Sequence, residues 1–247
     1  MLLQETFRKL HEMKLLGIAQ GLEEQLQNPT SQDLAFEERI GLLVDHEHTH
    51  REARRLKRLL AKAKLRENAC LENMDYRTNR GLDKGLIASL AMGAWIEQGA
   101  NLIITGPTGG GKTWIACALG NQMCRQGKSV IFQRLSLLLE EFGMSHADGT
   151  FRQKLAQLAK VDLLILDDLG ISTLSPINRS DLLEVIEQRT GRGSTLITSQ
   201  MPVERWHDYL SGGNPTVADA ILDRLVSGSY RIDIKGESMR KKNPAKS

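Results

Sequence analysis

The chain has 247 residues, of which 40% are hydrophobic, 26% charged and 4% aromatic, with a formal net charge of +3. This is ordinary globular usage in a chain long enough for one large domain or two modest ones, which excludes collagen-like, low-complexity and disordered classes. Its N-terminal apolar run is broken by Gln4, Glu5, Arg8 and Lys9, and no stretch reaches the roughly 18 apolar residues of a membrane span, so neither secretion nor membrane insertion is expected.

The small net charge conceals a segregation along the chain. Residues 1 to 50 carry four Lys/Arg against nine Asp/Glu, whereas residues 51 to 66 carry eight against one. Leu2 to Leu26 and Ser31 to Leu43 have helical periodicity and are separated by Asn28-Pro29-Thr30, with Thr30 or Ser31 as a cap for the second helix. His46-Glu47-His48-Thr49-His50 is a literal HExxH match, but Ala53 stands where the extended metalloprotease motif requires glycine, and the helix that follows offers a basic face instead of a cleft. On that helix Arg51, Arg55, Arg58, Lys62 and Arg66 recur at helical spacing, while Ala53, Leu56, Leu60 and Ala63 form a narrow apolar stripe on another face. Such a face is either a solvated surface of a small bundle or a contact surface for a phosphate backbone.

The first 70 residues therefore read as a small all-helical domain. After Tyr76 short apolar runs alternate with amphipathic helices, and strands are expected at Leu102 to Thr105, Val130 to Gln133, Leu163 to Leu166, Thr195 to Thr198 and Tyr230 to Ile234. That alternation predicts an α/β fold over residues 71–247, with a five-stranded parallel sheet flanked by helices. Cys70, Cys117 and Cys124 form no CxxC pair and read as small buried hydrophobes of a reduced, cytoplasmic protein.

The strongest local signal is GPTGGGKT, comprising Gly106, Pro107, Thr108, Gly109, Gly110, Gly111, Lys112 and Thr113. It follows an expected strand and opens an expected helix beginning at Trp114, the context a P-loop requires. The glycines let successive amide N–H groups face one anion, and the helix adds its positive end. Lys112 is suited to the β- and γ-phosphates of ATP, and the Thr113 hydroxyl to Mg²⁺. LLILDD, Leu163 to Asp168, is an apolar strand ending in two carboxylates, delivered to the same sheet edge as the loop. Asp167 is expected in the Mg²⁺ shell and Asp168 at the attacking water. Because Asp is one methylene shorter than Glu, that role for Asp168 needs a closer backbone or a bridging solvent molecule.

Together with STLITSQMPVERWHDYL, ADAILDRL and KGESMRKK, these motifs make the chain resemble the IstB-like helper ATPases of bacterial insertion sequences, relatives of the DnaC helicase loaders within the AAA+ superfamily. The resemblance spans nearly the whole chain. It implies an AAA+ P-loop NTPase in which Arg224 is an arginine finger acting on ATP held by a neighbouring subunit, Gln200 or Ser199 is the first polar sensor, and Arg240 is a second sensor touching the γ-phosphate. It also implies a homo-oligomer with ATP at its interfaces, assembled on duplex DNA with little sequence preference and engaging a transposase. The helical segment Arg134 to Lys160 would then face DNA, with Arg134, Arg152, Lys154 and Lys160 as candidate phosphate contacts. The alternative is a replicative helicase loader of the DnaC type, with the N-terminal region binding a helicase. A P-loop kinase for a small molecule should carry a basic lid, and none is evident in the sequence.

Overall fold

The structure, a computed structural model, describes residues 2–76 and 80–236. The chain divides into two compact units, residues 1–58 and residues 59–247. Among the described residues no helix is long and apolar enough to cross a membrane.

The helical stretch expected over Leu2 to Leu26 is two helices, α1 (Leu2–Glu12) and α2 (Leu16–Gln27), because Lys14 adopts a left-handed φ of +59° between them. A tertiary contact overrides the continuous periodicity. The Gly17 and Ile18 amides at the start of α2 donate to Glu47 Oε2 at 2.8 and 3.2 Å, so a distant carboxylate anchors the helix at its positive end. A Cβ on Gly17 would lie 2.6 Å from Glu47 Cα, so only glycine permits this approach.

Asn28 caps a short 3₁₀ turn, Pro29–Asp33, by accepting from the Thr30 amide at 3.2 Å, and α3 (Phe36–Ala63) starts with the Ala35 amide donating to Glu38 Oε2 at 3.0 Å. Neither Thr30 nor Ser31 therefore caps the helix. α3 then runs unbroken through the acidic stretch and the basic one. Lys64, at φ +50°, marks its end, which leaves Arg66 off the helix on which its spacing had placed it.

Glu47 of the HExxH match is only 7% exposed and also accepts from Arg51 Nε at 2.6 Å. Burial raises its carboxyl pKa, but the Arg51 guanidinium and the Ile18 and Gly17 amides outweigh this and hold it below the usual glutamate range.

The second unit opens with α4 (Lys84–Ala91) and α5 (Ala94–Glu97), and continues through β1 (Leu102–Thr105), α6 (Lys112–Arg125), β2 (Val130–Arg134), α7 (Leu135–Asp148), α8 (Phe151–Ala159), β3 (Leu163–Leu169) and α9 (Pro176–Arg189). β4 (Ser194–Ser199), α10 (Trp206–Ser211), α11 (Pro215–Val226) and β5 (Tyr230–Asp233) complete it. The five strands form one parallel sheet in the order β2-β3-β4-β1-β5, the fold class expected from the alternation of elements.

Every residue of β1 and β4 is buried, as a sheet covered on both faces demands. On one face Ile103, Leu164, Leu166 and Ile197 join a core with Leu138 and Phe142 of α7, Leu155 and Leu158 of α8, Val185 of α9 and Ile221 of α11. On the other, α6 lies so close that a Cβ on Gly120 would come within 2.9 Å of Ile165 Cδ1. Cys117 and Cys124 are buried in α6 as expected, whereas Cys70 is only half-buried. Arg189, 1% exposed, ties the helix layer to the sheet: it donates to the carbonyls of Leu158, Val161, Asp162 and Ser194 and to Thr195 Oγ1. Its burial lowers the guanidinium pKa to about 10, against the opposing pull of Asp162.

Candidate nucleotide site

β1 delivers the chain to the sheet edge, where Gly106, Gly109 and Gly111 take φ values of +142°, +77° and +95° that only glycine adopts without strain. Gly106 also sits where a Cβ would meet Ile234 O at 2.4 Å, so the end of β5 backs the loop. Gly111 is the N-cap of α6 and has no side chain to satisfy the first-turn amides, an arrangement suited to binding an anion. Lys112, 6% exposed, donates from Nζ to the carbonyls of Gly106 and Pro107 at 2.9 and 3.0 Å, holding an ammonium inside the curl of the loop. Burial pushes its pKa down, opposed by the charges of Asp168 and Asp167.

Asp167 is fully buried. Its Oδ1 accepts from Thr113 Oγ1 at 2.9 Å and from Thr198 Oγ1 at 2.6 Å, and Arg66 Nη1 lies 3.8 Å from its Oδ2. Burial raises its carboxyl pKa, and the Thr198 bond, the Thr113 bond and Arg66 counter that while Asp168 adds to it. Thr113 and Asp167 together offer adjacent hard oxygen ligands, the donor set that suits Mg²⁺.

β3 does not end at Leu166 as the apolar run suggests. It continues to Leu169 through a bulge in its pairing with β4, and Asp168 takes φ +68° there, a conformation Asp tolerates better than most residues. Its amide donates to Thr198 Oγ1 at 3.0 Å. The bulge moves the second carboxylate out of the strand ladder, and Asp168 lines the cavity. Arg134 Nε lies 3.7 Å from Asp168 Oδ2.

The cavity measures about 970 Å³, and Thr108, Gly109, Gly111, Lys112, Thr113, Trp114, Asp168 and Gln200 all line it. Thr108 Oγ1 donates to Gln200 Oε1 at 2.5 Å, while the Ser199 hydroxyl is buried, donating to Leu169 O and accepting from the Met201 amide. Of the two sensor candidates, only Gln200 presents its polar group to the cavity.

The IstB-like ATP binding protein family matches residues 8–247. The chain belongs to that family. It is 46% identical over 247 residues to a protein of Sinorhizobium fredii named as an insertion sequence ATP-binding protein, covering 100% of both chains. A Pseudomonas fluorescens protein named as the ATP-binding protein of insertion sequence IS1162 is 53% identical over 203 residues, covering 82% of this chain and 88% of the relative. Among solved structures, the DnaC helicase loader superposes with a TM-score of 0.59 at 25% identity, covering 70% of this chain and 100% of that one. The replication initiator DnaA bound to AMPPCP and single-stranded DNA superposes with a TM-score of 0.55 at 19% identity, covering 72% of this chain and 54% of that one, a likeness of fold. This IstB-like protein is thus an ATP-binding protein of AAA+ fold.

Other expected site residues lie elsewhere in the IstB-like chain. Arg224 does not line the cavity; Nη2 pairs with Glu187 Oε2 at 2.7 Å and Nη1 donates to Ala220 O at 2.9 Å. Arg240 lies outside the described residues. Arg51, Arg55, Arg58 and Lys62 are exposed on α3. The segment Arg134 to Lys160 forms α7 and α8, whose apolar faces cover the sheet. Within it Arg152 and Lys160 are exposed, Lys154 pairs with Glu141 at 3.4 Å, and Arg134 turns to the nucleotide cavity.

Sequence reasoning missed Thr198, Arg66 and Arg80 as parts of the site. For Thr198 a signal existed: it is the last residue of the expected strand next to the carboxylate strand, where a hydroxyl at the sheet edge meets Asp167. Arg66 reads in the sequence only as part of the basic helix face and Arg80 carries no local pattern, because only the fold brings the segment before β1 to the cavity.

Proposed function

We propose that this chain is the ATP-hydrolysing, DNA-binding helper of an insertion sequence. The observation that carries the reading is the convergence of Lys112, Thr113, Asp168 and Gln200 on one cavity at the sheet edge, with the buried Asp167 hydrogen-bonded behind Thr113, in a chain whose family spans residues 8–247. The loop amides and Lys112 bind the β- and γ-phosphates of ATP, with Lys112 exchanging two loop carbonyls for phosphate oxygens. Mg²⁺, held by Thr113 and Asp167, would neutralise charge on the phosphate oxygens. Asp168 orients the attacking water and accepts its proton, and Gln200 contacts the terminal phosphate.

Arg224, which does not line the cavity of its own chain, acts on the ATP of the neighbouring copy, where a finger of this kind contributes about 10³ to 10⁵ in rate. ATP then becomes part of the subunit interface, so assembly is linked to nucleotide occupancy. The exposed arginines of α3, with Arg152, contact the phosphates of duplex DNA without reading bases, and the helical N-terminal region, residues 1–70, engages DNA or the transposase. The helper reading is favoured over a helicase loader because the relatives that match along the whole chain are named for insertion sequences, whereas the loader's likeness covers 70% of it.

The test is ATP turnover with and without duplex DNA, alongside sedimentation with a nonhydrolysable ATP analogue. DNA should stimulate turnover in wild type, and Lys112→Ala should abolish both turnover and ATP-dependent assembly. A lone protomer in the presence of analogue and long duplex overturns the oligomeric mechanism; unstimulated turnover with tight binding to a hexameric helicase favours the loader.

A further inference from the structure

Three arginines line the nucleotide cavity besides the expected residues: Arg66, Arg134 and Arg80. Two of them have a carboxylate of the protein nearby, Arg66 at 3.8 Å from Asp167 and Arg134 at 3.7 Å from Asp168. Arg80 differs. It is 6% exposed, and among the described residues it forms no ion pair. Nη1 donates to Gly110 O at 3.3 Å, Nη2 donates to Asp75 O at 2.6 Å, and Nε is buried with no hydrogen-bond partner among the described residues.

The backbone holds it there. The Lys235 amide donates to Arg80 O at 2.8 Å, joining this residue to the end of β5, and a Cβ on Gly111 would come within 3.1 Å of Arg80 Nη1. The guanidinium therefore sits directly against the phosphate loop, on two consecutive glycines.

A buried guanidinium whose hydrogen bonds among the described residues go to two carbonyls, with one donor unsatisfied, is unfavourable in a low-dielectric interior. Such a charge persists where a ligand completes its environment. The loop it touches is built to hold polyanions, and a nucleotide polyphosphate would bring negative charge to the guanidinium itself. Arg suits the place better than Lys because its planar fork reaches two backbone carbonyls at once.

We propose that Arg80 is a positioning residue for nucleotide binding: it braces Gly110 and Gly111 of the phosphate loop, and the bound polyphosphate balances its buried charge. This rests on the ATP-binding reading and adds a residue to it.

The experiment compares full-length wild type, Arg80→Met, Arg80→Lys and Lys112→Ala by thermal melting without nucleotide and by titration with ATP, ADP and AMP. Arg80→Met is expected to melt at or above wild type when nucleotide-free, since it removes an uncompensated charge. Its ATP and ADP affinities are expected to fall at least tenfold, while AMP, which lacks the bridging phosphates, changes less than threefold. Arg80→Lys keeps the charge and loses the fork, so its ADP affinity is expected to fall threefold or more. A lower melting temperature with ATP and ADP affinities within twofold of wild type makes Arg80 a purely structural residue and overturns the proposal. If Arg80→Met does not fold, wild-type ADP affinity in Arg80→Lys overturns it instead. Lys112→Ala separates the levels: if it binds ATP like wild type, the loop is not the nucleotide site, whereas its loss beside an unaffected Arg80→Met sinks the role of Arg80 alone.

Discussion

Thr198 Oγ1 donates to Asp167 Oδ1 at 2.6 Å and accepts from the Asp168 amide at 3.0 Å, so one hydroxyl at the end of β4 orients both carboxylates of β3. It uses its donor on the first and its acceptor on the bulge that displaces the second. The site is therefore braced across two strands.

The buried charge of Asp167 has a consequence for stability. Its folded pKa is raised, mainly by burial, so its stabilising contribution is complete below the usual aspartate range and is lost as pH rises through the raised value. Asp167→Asn keeps an acceptor for Thr113 and Thr198 and removes that penalty. At pH 7 and without nucleotide it is expected to melt about 2–4 °C above wild type, the shift that roughly 1 kcal/mol produces in a chain of this size. The gain should vanish below the usual aspartate range, and ATP affinity should no longer respond to Mg²⁺. A lower melting temperature at pH 7 would count against a net penalty at this carboxylate.

Asp168 tests the chemistry separately from binding. Asparagine also tolerates a left-handed φ, so Asp168→Asn should preserve the bulge at +68°. ATP affinity is expected within about twofold of wild type, while turnover falls by about 10²-fold or more, the scale of losing a general base. Fluorescent-nucleotide titration and phosphate release measure the two quantities, and normal phosphate release would assign the water to another residue.

Arg189 bears on the fold alone. Removing a guanidinium that serves four carbonyls and a hydroxyl leaves buried acceptors unsatisfied, so Arg189→Met is expected to lose about 3–5 kcal/mol in urea unfolding. Arg189→Lys should recover less than half of that, since an ammonium cannot span the same set. Full stability in the lysine variant would show that charge alone suffices.

In the N-terminal unit, Glu47→Ala should release the start of α2 at a cost of about 1 kcal/mol, typical of a lost helix cap. Faster hydrogen exchange at the Gly17 and Ile18 amides is the readout. The carboxyl pKa is lowered, so its contribution is present above the usual glutamate range and is lost as pH falls through the lowered value. Added zinc should leave the wild-type melting curve unchanged, and a stabilised curve would reopen the HExxH match as a metal site.

The sequence by itself determined the parallel α/β fold, the phosphate loop and the pair of carboxylates. Each of these is written in local order: apolar runs of strand length separated by helices, glycines at fixed offsets before Lys112, and two acids closing an apolar run. Tertiary structure decided the rest, because those contacts join residues that no local pattern relates. Glu47 splits the first helical stretch from 30 residues away, the bulge at Asp168 arises from pairing with β4, and Ser199 and Gln200 part company once one hydroxyl is taken by Leu169 O. Arg66 and Arg80 reach the cavity only because the segment before β1 folds back beside the loop, a juxtaposition set by packing and invisible to the spacing of residues along the chain.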